Sequence, residues 1–303
     1  DGIIVEGRSE KPVYVEVCEE QIRLRDASHL ADASVEERTR HMQDALPEDA
    51  RNKSVVCCGP AGDKMVHIAS VMCGDRAAGR GGGGAVMGSK NLVGIAVCGN
   101  KKPDFADRKA FIAAVKMAMN VVVKDNAETT QGFHCYGTTG FIFSVSSIFS
   151  VSSTSLTSSD IVSGDLPTGN WQSNSWEHGP ALFDHFMKKN LVSSKGCYTG
   201  CPIGCTRVCK VEDGPYKTPV HAGGEYETVA SFSAFQRSND MDGAVHCGYL
   251  CNMLGLDTIS AGSVIAFAMD CYEHGIITPE MADGLEITWG NTEVMPKLLE
   301  NIA

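Results

Sequence analysis

The sequence predicts an α+β fold, with a β-rich N-terminal part followed by a mainly α-helical part. Three observations carry that prediction. Short β-branched runs bounded by glycine and proline fill the chain to about Gly99, and from Lys101 the apolar residues recur at spacings of three and four. With 303 residues, 43% of them hydrophobic and 21% charged, the chain can bury enough core for two domains. The expected divisions are 1–100 and 101–303.

In order, Gly2-Ile3-Ile4-Val5-Glu6-Gly7, Val13-Tyr14-Val15-Glu16-Val17 and the alternating Gln21-Ile22-Arg23-Leu24-Arg25 read as a small meander. Ser34, followed three residues later by Glu37, gives a capping box for a helix to about Ala45. Ser54 to Gly59 resumes a strand, and Asn91 to Val97 supplies another after a glycine-rich loop. Phe111, Ile112, Val115, Met119 and Val122 form one stripe, which predicts a core helix. Ile259 to Glu273 reads as a helix closed by Gly275, and Thr278-Pro279-Glu280 as the start of a neighbouring one. Thr292 to Ala303 reads as a helix running to the chain end. The immediate repeat of Ile-Phe-Ser-Val-Ser-Ser from Ile142, with the serine-rich run to Ser159, reads as a hairpin or a loop and is assigned no function.

Composition narrows the function classes. A net charge of −11 without a block of basic residues excludes the cationic stripe of a nucleic-acid binder. The apolar stretches are all broken by serine, glycine or lysine, which argues against a membrane span. Thirteen cysteines are an odd number in a chain too long for a small disulfide scaffold; reduced thiols with some metal ligation, in a cytoplasmic setting, fit better.

Three motifs carry chemistry. Arg76-Ala77-Ala78-Gly79-Arg80-Gly81-Gly82-Gly83-Gly84 is a turn whose glycines let backbone N–H groups approach an anion, with arginines at hand for charge. A flexible turn has the same composition, and the run matches neither a dinucleotide fingerprint nor a P-loop. Cys197, Cys201, Cys205 and Cys209 recur every fourth residue, a density that packing does not require. Closely spaced thiolates interrupted by proline and glycine suit an iron–sulfur cluster better than zinc, with inert or disulfide-paired thiols as the remaining reading. Cys251-Asn252-Met253-Leu254-Gly255-Leu256-Asp257-Thr258 is a helix–glycine–helix corner whose second helix start exposes N–H groups.

Taken in order, these segments resemble the aldehyde:ferredoxin oxidoreductase family of tungsten or molybdenum bis-pterin enzymes. The resemblance runs through the glycine loop continuing as Ala85-Val86-Met87-Gly88-Ser89-Lys90-Asn91-Leu92, Leu166-Pro167-Thr168-Gly169-Asn170, Cys201-Pro202-Ile203-Gly204-Cys205, Gly224-Glu225-Tyr226-Glu227-Thr228 and Gly255-Leu256-Asp257-Thr258. It implies a β-rich N-terminal domain as the base for the cofactor, with helical domains closing over it. Arg76, Ala77, Gly79 and Arg80 would contact one pterin and its phosphate, and Asn252, Leu256 and Asp257 the other. Cys197, Cys201 and Cys205 would be three ligands of a 4Fe-4S cluster. Magnesium bridging the pterin phosphates is a further expectation.

The implied reaction is oxidation of a small aldehyde with water to a carboxylic acid, the electrons leaving through the cluster to a ferredoxin-like acceptor. Glu225 and Glu227 would move the proton; they also read as a solvated pair at a helix start. His246 and Asp240 are read as structural. A homo-oligomer is expected, and no nucleic-acid or membrane partner. The resemblance further implies that the family's chain extends beyond both ends of this one, so that this segment alone is poorly active. Two departures stand out: Cys197 and Cys201 are separated by three residues where the family has two, leaving Cys209 as an alternative ligand, and Asn252 replaces an aspartate. The alternatives are a tungsten-type benzoyl-CoA reductase catalytic subunit and a non-catalytic cysteine-rich zinc module.

Overall fold

The structure is a computed structural model that describes residues 2–102, 104–142 and 166–303. From Phe143 on, the serine-rich repeat expected over 142–159 lies outside them. By internal contacts the chain divides into two units, Asp1–Lys102 with Leu250–Ala261 and Leu298–Ala303, and Pro103–Tyr249 with Gly262–Lys297.

The first unit is built on a six-stranded sheet of β1 (Val13–Cys18), β2 (Gln21–Asp26), β3 (Ser54–Cys57), β4 (Val71–Cys73), β5 (Arg76–Ala78) and β6 (Leu92–Cys98), in the order β2-β1-β6-β3-β4-β5. β1 and β6 run parallel and the other pairs antiparallel. Alternation along β1 sends Tyr14 into a core with Leu30, Val35, Met42, Val55, Met72 and Val93, and Val15 into another with Cys58, Met87 and Leu92. The first core is closed by the helix Val35–Asp44, whose capping box forms as the sequence predicts. Ser34 N–H and Oγ–H both donate to Glu37 Oε2, at 2.8 and 2.7 Å. Glu16 is buried on β1, where it accepts from Arg25 Nε at 2.9 Å.

Gly2 to Gly7, expected as a strand, belongs to no ladder. The thiols are not all reduced either: Cys18 and Cys98 form a disulfide. The pairing register puts these two residues opposite each other on parallel strands, 4.9 Å apart at Cα, inside the span a disulfide bridges. The other eleven cysteines form no disulfide.

The second unit is mainly helical, as expected, but also holds an antiparallel sheet of β7 (Leu191–Lys195), β8 (Thr206–Cys209) and β9 (His221–Ala222) that the helical periodicity did not announce. The predicted helix through Phe111 forms as Arg108–Asn120, capped by the Asp107 carboxylate on the N–H groups of Lys109 and Ala110. It is not a core helix among the described residues: Phe111 is 47% and Val115 43% exposed, because no described element covers the stripe. The helix Thr258–Glu273 forms as predicted. The helix expected from Pro279 stops after one turn, with Asp283 and Gly284 at positive φ and Gly284 N–H donating to Pro279 O. Val294–Ile302 is helical. No helix of the described residues is long and apolar enough to cross a membrane.

Candidate functional site: a glycine turn against an aspartate and a separate thiol loop

In the first unit, the glycine motif and the Gly-Leu-Asp-Thr corner meet. β4 and β5 form a hairpin in which Met72 opposes Ala77 and Cys73 opposes Arg76. The corner is sewn along the entry to that hairpin. Ser70 N–H donates to Gly255 O at 2.8 Å, Asp257 N–H donates to Ile68 O at 2.9 Å, and Ala69 bridges Leu256. Two glycines permit the approach. A Cβ on Gly59 would sit 2.3 Å from Leu254 O, and Gly255 itself has φ of +74°.

The consequence is that Asp257 faces the end of the arginine–glycine run. Arg80 Nε lies 3.8 Å from Asp257 Oδ2, and a Cβ on Gly79 would lie 3.1 Å from Asp257 Oδ1. The buried carboxylate also caps the helix Thr258–Glu273, accepting from Ser260 N–H at 3.1 Å and from the Ser260 hydroxyl. Arg80 is largely exposed, and Gly81 has open space where a Cβ would stand. Leu256 is buried; Ala77 is exposed, while Arg76 and Asn252 are half-buried.

The predicted loop tightens sooner than expected. Gly81 and Gly82 turn in the left-handed region, and Gly83–Ser89 is a short helix. Its glycines are packing requirements: a Cβ on Gly84 would lie 2.5 Å from Ser70 O, and one on Gly88 would collide with Gly62 O. A guanidinium, an accessible glycine turn and a fixed carboxylate acceptor match the chemistry of a phosphorylated heterocycle with exocyclic N–H groups.

In the second unit, Cys197, Cys201 and Cys205 lie on the loop between β7 and β8, respectively exposed, half-buried and half-buried. The Cys201 thiol is held below its ordinary value chiefly by the N–H groups of Gly204 and Ile203, and it also hydrogen-bonds Cys197. Burial raises the Cys205 thiol, with Glu225, Cys197 and Cys201 adding to the effect. Three unbridged thiols in mutual electrostatic reach fit an iron–sulfur ligand set on donor chemistry. Cys209 is a poorer thiolate donor. It is buried on β8, 3.6 Å from His221 Nε2, and burial pushes its thiol up to about 12.

Glu225 and Glu227 flank Tyr226 at the start of the helix Tyr226–Phe232 and are placed differently. Glu225 is half-buried and accepts from Thr138 Oγ1 at 2.8 Å, while Glu227 is exposed. The Thr138 hydroxyl also accepts from Tyr226 N–H at 3.1 Å. Asp240 accepts from Gly243 N–H at 3.0 Å, which fits its structural reading.

Sequence reasoning missed Arg207. It lies inside the quoted cysteine run, yet spacing gave no sign that its guanidinium is fully buried on backbone carbonyls. It also missed Asp270, Glu273 and His274, whose ligand atoms lie within 4.8 Å of one another at the end of their helix. The signal was their helical spacing. These side chains are already engaged: Asp270 accepts from Asn170 and Gln172, and Glu273 from Trp289.

The first unit and most of the second match the models of one family. Residues 1–99 match the aldehyde ferredoxin oxidoreductase N-terminal domain, and residues 114–303 match its domains 2 and 3. The chain therefore belongs to the aldehyde ferredoxin oxidoreductase family. It is 36% identical over its full length to tungsten-containing aldehyde ferredoxin oxidoreductases of Pyrococcus furiosus and Thermococcus kodakarensis. It is 27% identical to the WOR-like subunit of a Pyrococcus furiosus aliphatic sulfonate oxidoreductase. The chain spans about half the length of these relatives, 47% of each. Among solved structures, the active-site complex of benzoyl-coenzyme A reductase with 1,5-dienoyl-CoA superposes with a TM-score of 0.70. That match covers 98% of this chain and 46% of the other at 20% identity, so the likeness is one of fold.

Proposed function

We propose that this chain is part of a tungsten- or molybdenum-pterin oxidoreductase that oxidises a small aldehyde and passes the electrons through a 4Fe-4S cluster to a ferredoxin-like acceptor. The observation that carries the reading is the meeting of Arg80 and Gly79 with Asp257, two segments far apart in sequence that the resemblance expects to bind the cofactor. The aldehyde and water give a carboxylic acid, two protons and two electrons.

The bound metal and pterins would supply the polarising centre and the two-electron sink. The residues supply position and charge. Arg80, with Arg76 and Ala77 on β5, would hold a pterin phosphate beside the Gly81 turn. The Asp257 carboxylate, fixed by Ser260, would accept from the N–H groups of a pterin ring, and Asn252 would donate or accept one turn earlier. Cys197, Cys201 and Cys205 would hold the cluster.

Glu225 and Glu227 would serve proton movement. Of the two, Glu225 is the one held in place, by Thr138. The experiment is aldehyde-dependent reduction of a viologen dye by the anaerobically purified full-length protein, run beside an aromatic CoA thioester with a strong reductant. Dye reduction with aldehydes alone supports the reading. Turnover of the thioester alone transfers the assignment to ring reduction.

A further inference from the structure

The carbonyls of three successive residues in the cysteine loop are fastened to the end of one helix. Ile203 O accepts from His134 Nδ1 at 3.0 Å, Gly204 O accepts from Arg207 Nη2 at 3.0 Å, and Cys205 O accepts from Arg207 Nε at 3.1 Å. The same guanidinium closes the helix Ala127–Tyr136 by donating to Cys135 O at 2.9 Å and His134 O at 2.8 Å. A buried cation suits that place, because the last carbonyls of a helix lack intrahelical donors and carry partial negative charge. Gly137 makes room: with φ of +60°, it would otherwise put a Cβ 2.8 Å from both Arg207 Nε and Cys205 O.

Fastened carbonyls fix the opposite sides of their peptides. No peptide bond in the described chain is cis, and in a trans peptide the C=O of one residue and the N–H of the next point in opposite directions. His134 therefore holds the Ile203–Gly204 peptide so that Gly204 N–H faces away from the helix, and Arg207 does the same for the Gly204–Cys205 peptide. One ligand sulfur stands on that far side: Gly204 N–H donates to Cys201 Sγ.

We infer that Arg207 and His134 are positioning residues for the iron–sulfur ligand loop, holding its peptides so that the Gly204 N–H stays on the Cys201 sulfur and so setting the reduction potential of the cluster. The inference rests on the cluster reading proposed above. Hydrogen bonds to the sulfurs favour the more negative, reduced cluster, so loosening the clamp makes one-electron reduction harder. His134 acts through orientation. Arg207 adds a fixed positive charge.

The test uses the full-length holoenzyme, purified anaerobically as wild type, R207K and H134F. Iron and acid-labile sulfide are assayed, and the midpoint of the cluster's electron paramagnetic resonance signal is followed in a dithionite titration. Both variants are expected to keep their iron and to be about tenfold harder to reduce, a lowering of about 59 mV for a one-electron couple. H134F tests orientation without changing buried charge, and it decides the matter if R207K does not fold. A variant that melts as wild type but loses iron also supports the clamp. Wild-type potentials in the iron-loaded variants overturn the inference and leave the cluster standing. A wild-type protein without iron and sulfide overturns the cluster reading and this inference with it.

Discussion

Arg80 Nε stands 3.8 Å from Asp257 Oδ2, and this pair is where the glycine-rich turn and the second helix corner become one surface. The carboxylate has two tasks there, capping a helix through Ser260 and facing the turn. Substitution can separate them. Asp257→Asn keeps an N-cap and is expected to change Tm little, while pterin content falls severalfold; Asp257→Ala also gives up the cap, about 1 kcal/mol. Thermal melts beside pterin fluorescence after denaturation check both, and equal pterin loss with equal Tm loss would show that Asp257 matters only as a cap.

The two kinds of glycine in the turn respond differently to alanine. Gly88→Ala drives a Cβ into Gly62 O in tight backbone packing and is expected to cost about 3 kcal/mol or to prevent folding. Gly81→Ala meets open space and costs only left-handed strain, about 1 kcal/mol. Urea unfolding of both variants measures the difference, and equal costs would contradict the packing described for Gly88.

Arg38 is fully buried and joined to Asp63, with Nη1–Oδ1 at 3.0 Å and a further bond to Cys58 O at 2.9 Å. Asp63→Asn leaves that guanidinium without its counter-charge. Breaking a buried pair costs about 3–5 kcal/mol, and the partial exposure of Asp63 places the expected loss near about 3 kcal/mol. A loss below about 1 kcal/mol in denaturant unfolding would show that the carbonyl of Cys58 suffices.

The capping box of the helix Val35–Asp44 gives a pH signature. Bonds from the Ser34 hydroxyl and N–H hold the Glu37 carboxyl below its ordinary 4.5. A depressed carboxyl stabilises the fold fully above its unfolded value, and the contribution disappears as the pH falls through the lower folded value. Wild type should therefore lose more stability than Glu37→Gln as pH drops from about 4.5. Parallel acid-unfolding curves would contradict the assignment.

Thiol chemistry divides the cysteines. Burial pushes Cys58 and Cys209 up to about 12, and Cys247 is raised too, so these should resist iodoacetamide at neutral pH in the folded protein. Cys73 is exposed and should label first, with Cys197 joining it only once the cluster is removed. Peptide mapping by mass spectrometry reads the order, and early labelling of Cys209 would return it to the ligand set.

Local patterns made much of this legible. Ser34 with Glu37, the β-branched run of β6 and the apolar wheel of Thr258–Glu273 all announce structures that form, because capping and periodicity are properties of neighbours in sequence. The meeting of Asp257 with Arg80 was not legible: the resemblance set the two against different pterins, and nothing local to Leu256 says that it will bridge Ala69. Arg207 was not legible: its partners are carbonyls, which every residue has. The helix Arg108–Asn120 shows the opposite failure, since a stripe at Phe111 and Val115 gives the helix but cannot say what covers it.

The proposed function requires a redox cofactor held by the Arg80–Asp257 surface together with a cluster on the cysteine loop. Metal, pterin and sulfide analysis of the anaerobically purified full-length protein tests it most directly. Tungsten or molybdenum with pterin, and iron with acid-labile sulfide in the ratio of one 4Fe-4S cluster, is the predicted result; zinc alone, or no metal in a folded protein, would contradict it.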